Sequence, residues 1–263
     1  MAIHKQNNGM TTLAERHQFI LSKLKIEGKV SVLDLCHDLN VSSVTIRKDL
    51  KQLEDKNLLY RTHGGGTSSN PYTVDRPVNE KEKIRSEEKM DIGARAAKMI
   101  EPDDCIIIAS GTTVLSLARN IQPHGHLTVI TAALNVATEL NHHPDVEVLV
   151  LGGVLRKSSS SATGMYAEKI LDDFSCSKLF LGVDGIDIDF GLTTTHVQEA
   201  QLNRKMIAAC QKTIVLADSS KFGKRGFGRI CGLEDVEHVI TDKGISDHMV
   251  ETLKGMGIEV TIV

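Results

Sequence analysis

Tryptophan is absent from this 263-residue sequence, and aromatic residues make up only 3% of it. Proteins that bind single-stranded nucleic acid stack bases on aromatic side chains, so the composition argues against such a surface. No apolar run approaches the roughly 18 residues that a membrane-spanning helix needs. The first residues, MAIHKQNNGMTT, also lack the apolar stretch of a secretory signal peptide. We therefore expect a cytoplasmic protein with no membrane partner.

Cysteine is scarce and scattered. The five cysteines are Cys36, Cys105, Cys176, Cys210 and Cys231. Their number is odd and no two form a Cys-x-x-Cys pair, so we expect buried free thiols in a reducing compartment. The histidines show no metal-ligand spacing either. The sequence therefore predicts no metal site and no cofactor.

Charge is distributed unevenly along the chain. The net charge is -3, but residues 1–66 carry ten Lys and Arg against seven Asp and Glu, a net of +3. A slightly basic first segment on an acidic remainder is a weak indication of a nucleic-acid-binding module. The length itself predicts about two domains.

Helical patterns fill the basic segment. Apolar spacing predicts a helix over residues 12–27, which Gly28 ends. Ser31 has the features of an N-cap for a short second helix. The polar turn LNVSS then leads to a third helix, VTIRKDLKQLEDK, which Ser42 or Ser43 can cap. Two short helices joined by such a turn are typical of a helix-turn-helix.

The third helix has an apolar face, formed by Ile46, Leu50 and Leu53, and a basic face. A basic second helix of this kind enters the major groove of DNA, where arginine and lysine reach guanine edges and phosphates. The residues predicted to contact DNA are Ser42, Ser43, Thr45, Arg47, Lys48 and Lys51. The alternative is a three-helix bundle whose third helix has only a solvated basic face.

The next segment, NLLYRTHGGGTSS, predicts a strand, a glycine turn and a return strand. A hairpin directly after the recognition helix is a wing, and it would place Arg61 and His63 beside the DNA backbone. The three glycines permit positive φ or a close backbone approach. They are not a phosphate-binding P-loop, because no Gly-Lys-Ser or Gly-Lys-Thr follows.

The stretch VSSVTIRKDLKQLEDKNLLYRTHGGG resembles the N-terminal signature of the DeoR family of bacterial transcriptional regulators. The resemblance implies a winged helix-turn-helix domain whose residues, named above, contact operator DNA. The following segment, TSSNPYTVDRPVNEKEKIRSEEK, is typical of a hinge that runs into a helix over residues 80–100, with a solvated charged surface. The predicted boundaries are a DNA-binding domain at 1–67, a linker at 68–82 and an effector-binding domain at 83–263.

Short apolar strands alternate with helical patterns after residue 103. The strands are CIIIA, LTVITA, VEVLVLGG, KLFLGVDG, TIVLAD, HVIT and IEVTIV, and the helices are 113–121, 134–141, 197–210 and 247–255. Strands that are apolar throughout are buried on both faces of a parallel sheet. We therefore predict an α/β domain with an open, mostly parallel sheet. Thr195 and Ser246 are expected to cap the last two helices.

Polar residues follow several of these strands, and ligands of such sheets bind at the carboxyl ends of the strands. A loop of glycine and hydroxyl residues at a helix N-terminus offers N–H groups and a favourable dipole to phosphate. Arg156 and Lys221 would neutralise the phosphate, and Asp184 and Glu199 would accept hydrogen bonds from sugar hydroxyls. The predicted effector-binding residues are Ser110, Gly111, Thr112, Thr113, Gly153, Arg156, Asp184, Glu199 and Lys221.

Purely structural roles are the alternative for these residues. Ser110 and Thr112 can simply cap a helix, and Asp184-Gly185 can be an ordinary turn. Arg156, Lys221 and Glu199 can be polar surface residues.

The motifs SGTT, GG-x-x-R, GVDGI and ADSSKFG resemble, in this order, the C-terminal effector domain of the same family. The resemblance now covers essentially the whole chain. It implies a domain that binds phosphorylated sugars and is related in fold to sugar-phosphate isomerases such as ribose-5-phosphate isomerase. The family often has Thr-Asn after the second strand, whereas this chain has Thr131-Ala132-Ala133. A polar side chain is missing there, so the resemblance does not predict this part of the pocket.

Two functions remain to be weighed. Isomerisation needs a general base, and the segment Asp184-Gly185-Ile186-Asp187 resembles an isomerase motif. The isomerase then carries Lys-Gly-Gly and a glutamate on the next helix, whereas this chain has GLTTTH and, near the expected glutamate, Arg204, Lys205 and Met206. We therefore predict no catalytic residue and a sensor. The family resemblance implies a repressor of a sugar-catabolic operon that a phosphorylated sugar releases from its operator; the residues alone leave activation open. An isomerase-like enzyme is the alternative.

A homo-oligomer, dimer or tetramer, is also expected, because paired DNA-binding domains read operator repeats.

Overall fold

The structure, a computed structural model, describes residues 12–56, 58–62, 64–68 and 77–263. The chain divides into two compact units, residues 1–74 and 75–263. Residues 77–82, which the sequence places in the linker, thus belong to the second unit. None of the described helices is long and apolar enough to cross a membrane.

The described part of the first unit holds three helices and a three-stranded antiparallel sheet in the order β1-β3-β2. The elements are α1 Leu13–Glu27, β1 Lys29–Ser31, α2 Val32–Leu39, α3 Ser43–Asp55, β2 Tyr60–Thr62 and β3 Gly65–Thr67. The predicted caps are confirmed: the Ser31 and Ser42 side chains accept hydrogen bonds from the first turns of α2 and α3. Asn40, at φ 52°, reverses the chain between the two helices.

An ion pair fixes α3 against α1. Arg16 donates two hydrogen bonds to Asp49, from Nε at 2.8 Å and from Nη2 at 3.0 Å. Asp49 is only 2% exposed, so its charge is compensated inside the unit. The apolar face of α3 packs on α1, α2 and the sheet through Ile46, Leu50 and Leu53. The opposite face of α3 is therefore left to solvent.

The hairpin β2–β3 occupies the predicted position of a wing, and β3 also pairs with β1. This three-strand contact explains one of the three glycines. A β-carbon on Gly65 would lie 1.9 Å from the Val30 carbonyl oxygen, so only glycine lets the strands approach there.

The second unit is an α/β domain whose seven-stranded sheet has the order β15-β14-β12-β9-β4-β5-β6. Every neighbouring pair in it is parallel, which confirms the predicted sheet. The elements are α4 Val78–Glu82, α5 Ser86–Ala97, β4 Cys105–Ile108, α6 Thr112–Asn120, β5 Leu127–Thr131, α7 Leu134–Leu140, β6 Val146–Val150, β7 Val154–Arg156, β8 Ser161–Thr163, α8 Met165–Leu171, β9 Cys176–Gly182, β10 Gly185–Asp187, β11 Gly191–Thr194, α9 Val197–Ala208, β12 Cys210–Leu216, β13 Gly228–Cys231, β14 His238–Thr241, α10 Asp247–Gly255 and β15 Glu259–Ile262.

Helices cover both faces of this sheet. Ile106 and Ile108 of β4 pack with α5, α6 and α7, whereas Ile107 packs with α8, α9 and α10. Successive strand residues point to opposite faces, so both positions must be apolar when both faces are covered. This is the physical reason for the unbroken apolar strands of the sequence.

The helix predicted over residues 80–100 is in fact two helices, α4 and α5. Arg85 separates them, at a φ of 53° that no α-helix contains. Its side chain donates to the Ser219 hydroxyl at 3.1 Å, in the loop after β12. Lys89 is buried, and its ammonium donates to the carbonyls of Lys81 and Ile84, which fixes the turn; burial lowers the pKa of Lys89. The interpretation of this charged run as a solvated surface is wrong at Lys89.

Two small antiparallel units were not predicted. One is the hairpin β7–β8, and the other is a three-stranded sheet in the order β10-β11-β13. The prediction that Thr195 caps α9 is also wrong. The N-cap residue is His196, and the His196 side chain makes no capping hydrogen bond. Ser246 does cap α10, as predicted.

Gly93 of α5 generates a stability prediction. A β-carbon there would lie 2.5 to 2.7 Å from backbone atoms of Ser116 and Leu117 in α6. Because backbone cannot move aside cheaply, Gly93→Ala should force the helices apart and lower the free energy of unfolding by about 1–3 kcal/mol. Urea unfolding followed by circular dichroism measures this.

Gly255→Ala is the matched control. Gly255 ends α10, and a β-carbon there meets nothing within 4 Å. Alanine has the higher helix propensity, so this variant should be as stable as the unaltered protein or slightly more stable. Equal stabilities of the two variants would contradict the close contact between α5 and α6.

Candidate functional site

The predicted DNA-contacting residues lie on the solvent side of α3 and on the first strand of the wing. Arg47, Lys48 and Lys51 are exposed, on the helix face opposite the packed one. Ser42 accepts a hydrogen bond from the Thr45 N–H at 3.2 Å, so it caps the end of the helix that carries the other hydroxyls. The arrangement agrees with a basic recognition surface.

The wing strand is tied to the same helix. The Arg61 N–H donates to Glu54 Oε1 of α3 at 2.9 Å, and the Arg61 side chain is exposed. His63 lies outside the described residues.

A pocket opens in the second unit at the carboxyl ends of β4, β9 and β12, which are neighbours in the sheet. It brings together eight of the predicted effector-binding residues: Ser110, Gly111, Thr112, Thr113, Arg156, Asp184, Glu199 and Lys221. The missing one is Gly153, which lies at the hairpin β7–β8. A β-carbon on Gly153 would lie 2.5 Å from the Thr163 carbonyl oxygen, so the close approach of the two strands explains why glycine stands there.

The N-terminus of α6 faces this pocket. Its N-cap is Gly111, whose φ of 140° favours glycine, and no described side chain caps the helix. Ser110 and Thr112 therefore do not act as its caps, which removes one structural alternative for these two residues. The first N–H groups of α6 are left as donors at the positive end of the helix dipole, which is a favourable position for an anion.

Asp184 follows β9 and is held by hydrogen bonds and cations. Lys81 Nζ lies 2.8 Å and Lys221 Nζ 3.9 Å from its Oδ1. Its other oxygen accepts from the Thr194 hydroxyl and the Thr195 N–H. Burial alone would raise the pKa of Asp184, but Lys81, Lys221 and the hydrogen bonds outweigh it, so the pKa lies below its ordinary value. Asp184 is an ionised acceptor near neutral pH.

Glu199, in the first turn of α9, makes the second ion pair. Arg156 Nη1 of the hairpin β7–β8 lies 2.5 Å from Glu199 Oε2. The hydroxyls of Ser161 and Thr194 also donate to this carboxylate. The Thr194 hydroxyl thus lies between the two ion pairs, 3.1 Å from Asp184 Oδ2 and 3.4 Å from Glu199 Oε2, and its single proton can serve either carboxylate.

Sequence reasoning missed several residues that line the pocket: Lys81, Ser158, Ser159, Thr194 and Asn203. Lys81 belongs to the charged run that we interpreted as solvated, and this interpretation is wrong for it. Ser158 and Ser159 lie in the unpredicted turn of β7–β8. Ser158 and Ser159 belong to the run SSSS, and Thr194 belongs to the run TTT. This local richness in hydroxyl residues is the sequence signal that could have identified them.

Asp187, the second aspartate of the isomerase-like motif, does not line the pocket. Its Oδ1 accepts from Arg225 Nη2 at 2.9 Å and from the N–H groups of Asp189 and Phe190. The Arg225 hydrogen bond is the main cause of its lowered pKa. Asp187 is a turn-forming carboxylate in this chain.

All five cysteines are free thiols, as predicted, although only Cys176 and Cys231 are fully buried. Burial raises the pKa of the Cys231 thiol to about 12. Within the described residues, no cluster of three or more His, Cys, Asp or Glu side chains has the arrangement of a metal site.

Two family models match the sequence. The DeoR-like helix-turn-helix domain matches residues 16–71, and the DeoR C terminal sensor domain matches residues 84–243. The chain belongs to the DeoR family. This confirms the resemblance on which the winged helix-turn-helix and the effector domain were predicted.

Similar proteins of the DeoR family are transcriptional regulators. A protein of Escherichia coli O157:H7, provisionally named aga operon transcriptional repressor, is 36% identical over 97% of this chain and 95% of its own length. The HTH-type transcriptional repressor GlcR of Bacillus subtilis (strain 168) is 32% identical over 94% of this chain and 95% of its own. The chain is therefore a DNA-binding transcriptional regulator, and the alternative of an isomerase is not supported.

Solved structures are only distantly similar. Ribose 5-phosphate isomerase A of Methanocaldococcus jannaschii matches 52% of this chain and 54% of its own, with 13% identity and a TM-score of 0.38. The full-length sorbitol operon regulator SorC of Klebsiella pneumoniae matches 80% and 91%, with 12% identity and a TM-score of 0.37. At such scores, neither likeness is an argument for an activity.

The lowered pKa of Asp184 predicts a pH dependence. The unfolded chain binds a proton at this residue near pH 3.9, whereas the folded protein holds the charge to lower pH. The charge therefore stabilises the fold above that value, and the contribution is lost as the pH falls through the lowered pKa. Asp184→Asn should reduce the free energy of unfolding at pH 7, and the deficit should shrink below about pH 4. Urea titrations from pH 3 to pH 7 measure both.

Asp173→Asn is the control, because Asp173 is exposed and outside the pocket. It should follow the unaltered protein at every pH. A deficit of Asp184→Asn that stays constant down to pH 3 would show that the charge of Asp184 contributes nothing.

Proposed function

We propose that this regulator represses a sugar-catabolic operon and leaves its operator when a phosphorylated sugar binds in the pocket. The observation that carries the proposal is the anion site at the uncapped N-terminus of α6, with three cationic side chains around the same pocket: Lys81, Arg156 and Lys221. Backbone N–H groups, the helix dipole and these cations together suit a phosphate group.

The remainder of the pocket suits a polyol. Asp184, Glu199 and Asn203 line it beside the hydroxyls of Ser110, Thr113 and Thr194. Carboxylates and hydroxyls accept hydrogen bonds from sugar hydroxyls and fix their orientation. Three cations against two carboxylates leave one positive charge in the pocket, which supports an anionic ligand.

The ion pairing of Asp184 and Glu199 favours sensing over catalysis. A general base must accept a proton from the substrate, and its pKa should lie near the working pH. Asp184 is paired with Lys81 at 2.8 Å and has a lowered pKa, and Glu199 is paired with Arg156 at 2.5 Å. Both carboxylates are therefore suited to binding and poorly suited to proton abstraction.

Repression at an operator is supported by the names of the relatives, of which one is an aga operon repressor and another the repressor GlcR. In this chain the DNA contacts would come from the exposed face of α3 and from the wing, within a domain at 1–67 that a linker joins to the sensor. We propose that the protein acts in the cytoplasm as a homo-oligomer whose paired DNA-binding domains read operator repeats.

Effector and operator are coupled in this proposal. A ligand shifts an equilibrium only by its different affinities for the two states, so the sugar phosphate must bind the DNA-free arrangement more tightly. By linkage, operator DNA must weaken effector binding by the same factor.

Lys221 tests the effector site. A panel of pentose and hexose phosphates should include a compound that raises the melting temperature of the full chain and weakens its binding to operator DNA. Lys221→Ala should need about 10- to 100-fold more of that compound for both effects, because one charge-assisted hydrogen bond to phosphate is lost. Its operator affinity without the compound should be unchanged.

Lys243→Ala, which removes an exposed lysine outside the pocket, is the control and should respond normally. If no sugar phosphate changes operator binding of the unaltered protein, the sensor proposal fails. An unaltered response of Lys221→Ala would remove only Lys221 from the site. Turnover of each active compound, followed by NMR, tests the isomerase alternative directly.

Arg47 tests the DNA-binding surface. One base-edge contact contributes about 1–3 kcal/mol, so Arg47→Ala should weaken operator binding roughly 10- to 100-fold. Fluorescence anisotropy at one fixed salt concentration measures this, since affinity for DNA depends on salt. The thermal stabilisation by the active sugar phosphate should remain.

Lys25→Ala removes an exposed lysine of α1 that lies near Leu53, on the packed side of α3 and not on its basic face, and is expected to bind the operator normally. Equal affinities of the Arg47 and Lys25 variants would contradict the assignment of α3 as the recognition helix.

A further inference from the structure

Asn203 is a buried amide on the wall of the pocket. It lies in the second turn of α9, is only 6% exposed and is one of the residues that line the pocket. Residues four apart on a helix share a face, so Asn203 stands one turn beyond Glu199 on the side of α9 that meets the pocket. Leu202 and Met206 are packed in the core and hold the helix in this orientation. The fold therefore fixes the position of Asn203.

The two carboxylates of the pocket are already engaged within the protein. Asp184 accepts from Lys81 at Oδ1 and from the Thr195 N–H at Oδ2. Glu199 is paired with Arg156 at Oε2, and its Oε1 accepts from a serine hydroxyl. All four carboxylate oxygens thus have a partner. A ligand that binds to them has to share or displace these hydrogen bonds.

The amide of Asn203 differs from these carboxylates. In the part of the chain that the structure describes, no residue forms a hydrogen bond with its Oδ1 or its Nδ2. The amide is not sealed in the core either, since the fully buried side-chain atoms without a partner, among the described residues, belong to other side chains. It therefore opens on the pocket. An amide that is largely removed from water without a partner costs free energy, and a ligand that pairs with it recovers this cost.

An uncharged amide suits a particular kind of ligand group, because its oxygen accepts hydrogen bonds and its nitrogen donates two. A sugar hydroxyl matches both, since it donates to Oδ1 and accepts from Nδ2. A deoxy position matches neither and leaves the amide unpaired. An ammonium group only donates, so the N–H groups of the amide would face a positive charge. The cations and the N-terminus of α6 suit the phosphate, which leaves the amide of Asn203 for the sugar.

We propose that Asn203 is a specificity-determining residue of the sensor and that it recognises one hydroxyl of the effector. Sugar phosphates with a hydrogen or an ammonium group in place of that hydroxyl bind weakly and are poor inducers. The inference rests on the proposed function, because it names the part of the sugar that the same pocket recognises. It also fits a sensor, since a neutral amide does not take up the proton that isomerisation moves.

Isothermal titration calorimetry on the full chain, without DNA, tests this assignment. The probes are the active sugar phosphate of the panel and its monodeoxy and amino analogues, as 2-deoxyglucose 6-phosphate and glucosamine 6-phosphate are for glucose 6-phosphate. For the unaltered protein, loss of one particular hydroxyl should weaken binding about 10- to 100-fold, because the buried amide loses its partner. Asn203→Leu should weaken binding of the parent compound by a similar factor and should no longer distinguish it from that deoxy analogue. The penalties at the other hydroxyls should remain.

Gln201→Leu is the matched control, since it removes an exposed amide from the same helix, outside the pocket. It should bind every probe as the unaltered protein does. Asn203→Asp is the second variant: it keeps the shape of the side chain, loses the two donors and adds a negative charge. It should therefore prefer the analogue with an ammonium group at the recognised position over the parent compound. If Asn203→Leu does not fold, as circular dichroism can check, this preference decides.

Failure of this assignment is distinguishable from failure of the proposed function. If a sugar phosphate binds and releases the operator, but Asn203→Leu retains the penalty of every deoxy analogue, the role of Asn203 is overturned and the sensor stands. The same holds if Asn203→Asp keeps the preference of the unaltered protein, or if Gln201→Leu has the effect expected of Asn203→Leu. If no sugar phosphate binds the unaltered protein, both proposals fail.

Discussion

The pocket depends on one constraint, the parallel pairing of β12, β9 and β4. Parallel strands end at the same edge of a sheet, so the polar segments that follow them must meet there. The sheet is covered by helices on both faces, and the residues of β4, β9 and β12 that approach this edge are apolar: Ile106–Ile108, Leu179–Leu181 and Ile214–Leu216. Charged and hydroxyl groups are therefore concentrated at the strand ends. Ser110, Asp184 and Lys221, more than a hundred residues apart at the extremes, become neighbours for this reason.

This constraint also decides how much of the site can be predicted from sequence. A residue directly after a buried strand is recognised from its local pattern, and Ser110, Asp184 and Lys221 were found in this way. Lys81 could not be, because it precedes the first strand of the sheet and reaches Asp184 only through the turn at Arg85. Its neighbourhood is dense in charge, and local patterns do not show which of these charges face inward.

The elements of the fold also divide into those that a local sequence pattern predicts and those that it does not. Long apolar strands and helices with clear apolar spacing were predicted correctly, because burial on two faces leaves a strong signal in composition. The hairpin β7–β8 and the small sheet β10-β11-β13 were missed, since their three- and four-residue strands include sequences such as SAT and GLTT, which are not apolar runs. These short elements nevertheless supply Arg156 and Thr194 to the pocket. The least predictable elements thus complete the site.

The ion pairs of the pocket bear on how a sensor can work. Lys81 pairs with Asp184, and Arg156 pairs with Glu199. A phosphate that recruits these cations has to compete with the carboxylates, so the affinity is a difference between two sets of charge-assisted hydrogen bonds. Such an exchange changes the contacts of α4 and of the hairpin β7–β8, which hold Lys81 and Arg156. A ligand that leaves both pairs intact would bind without altering either element, and it would carry no signal.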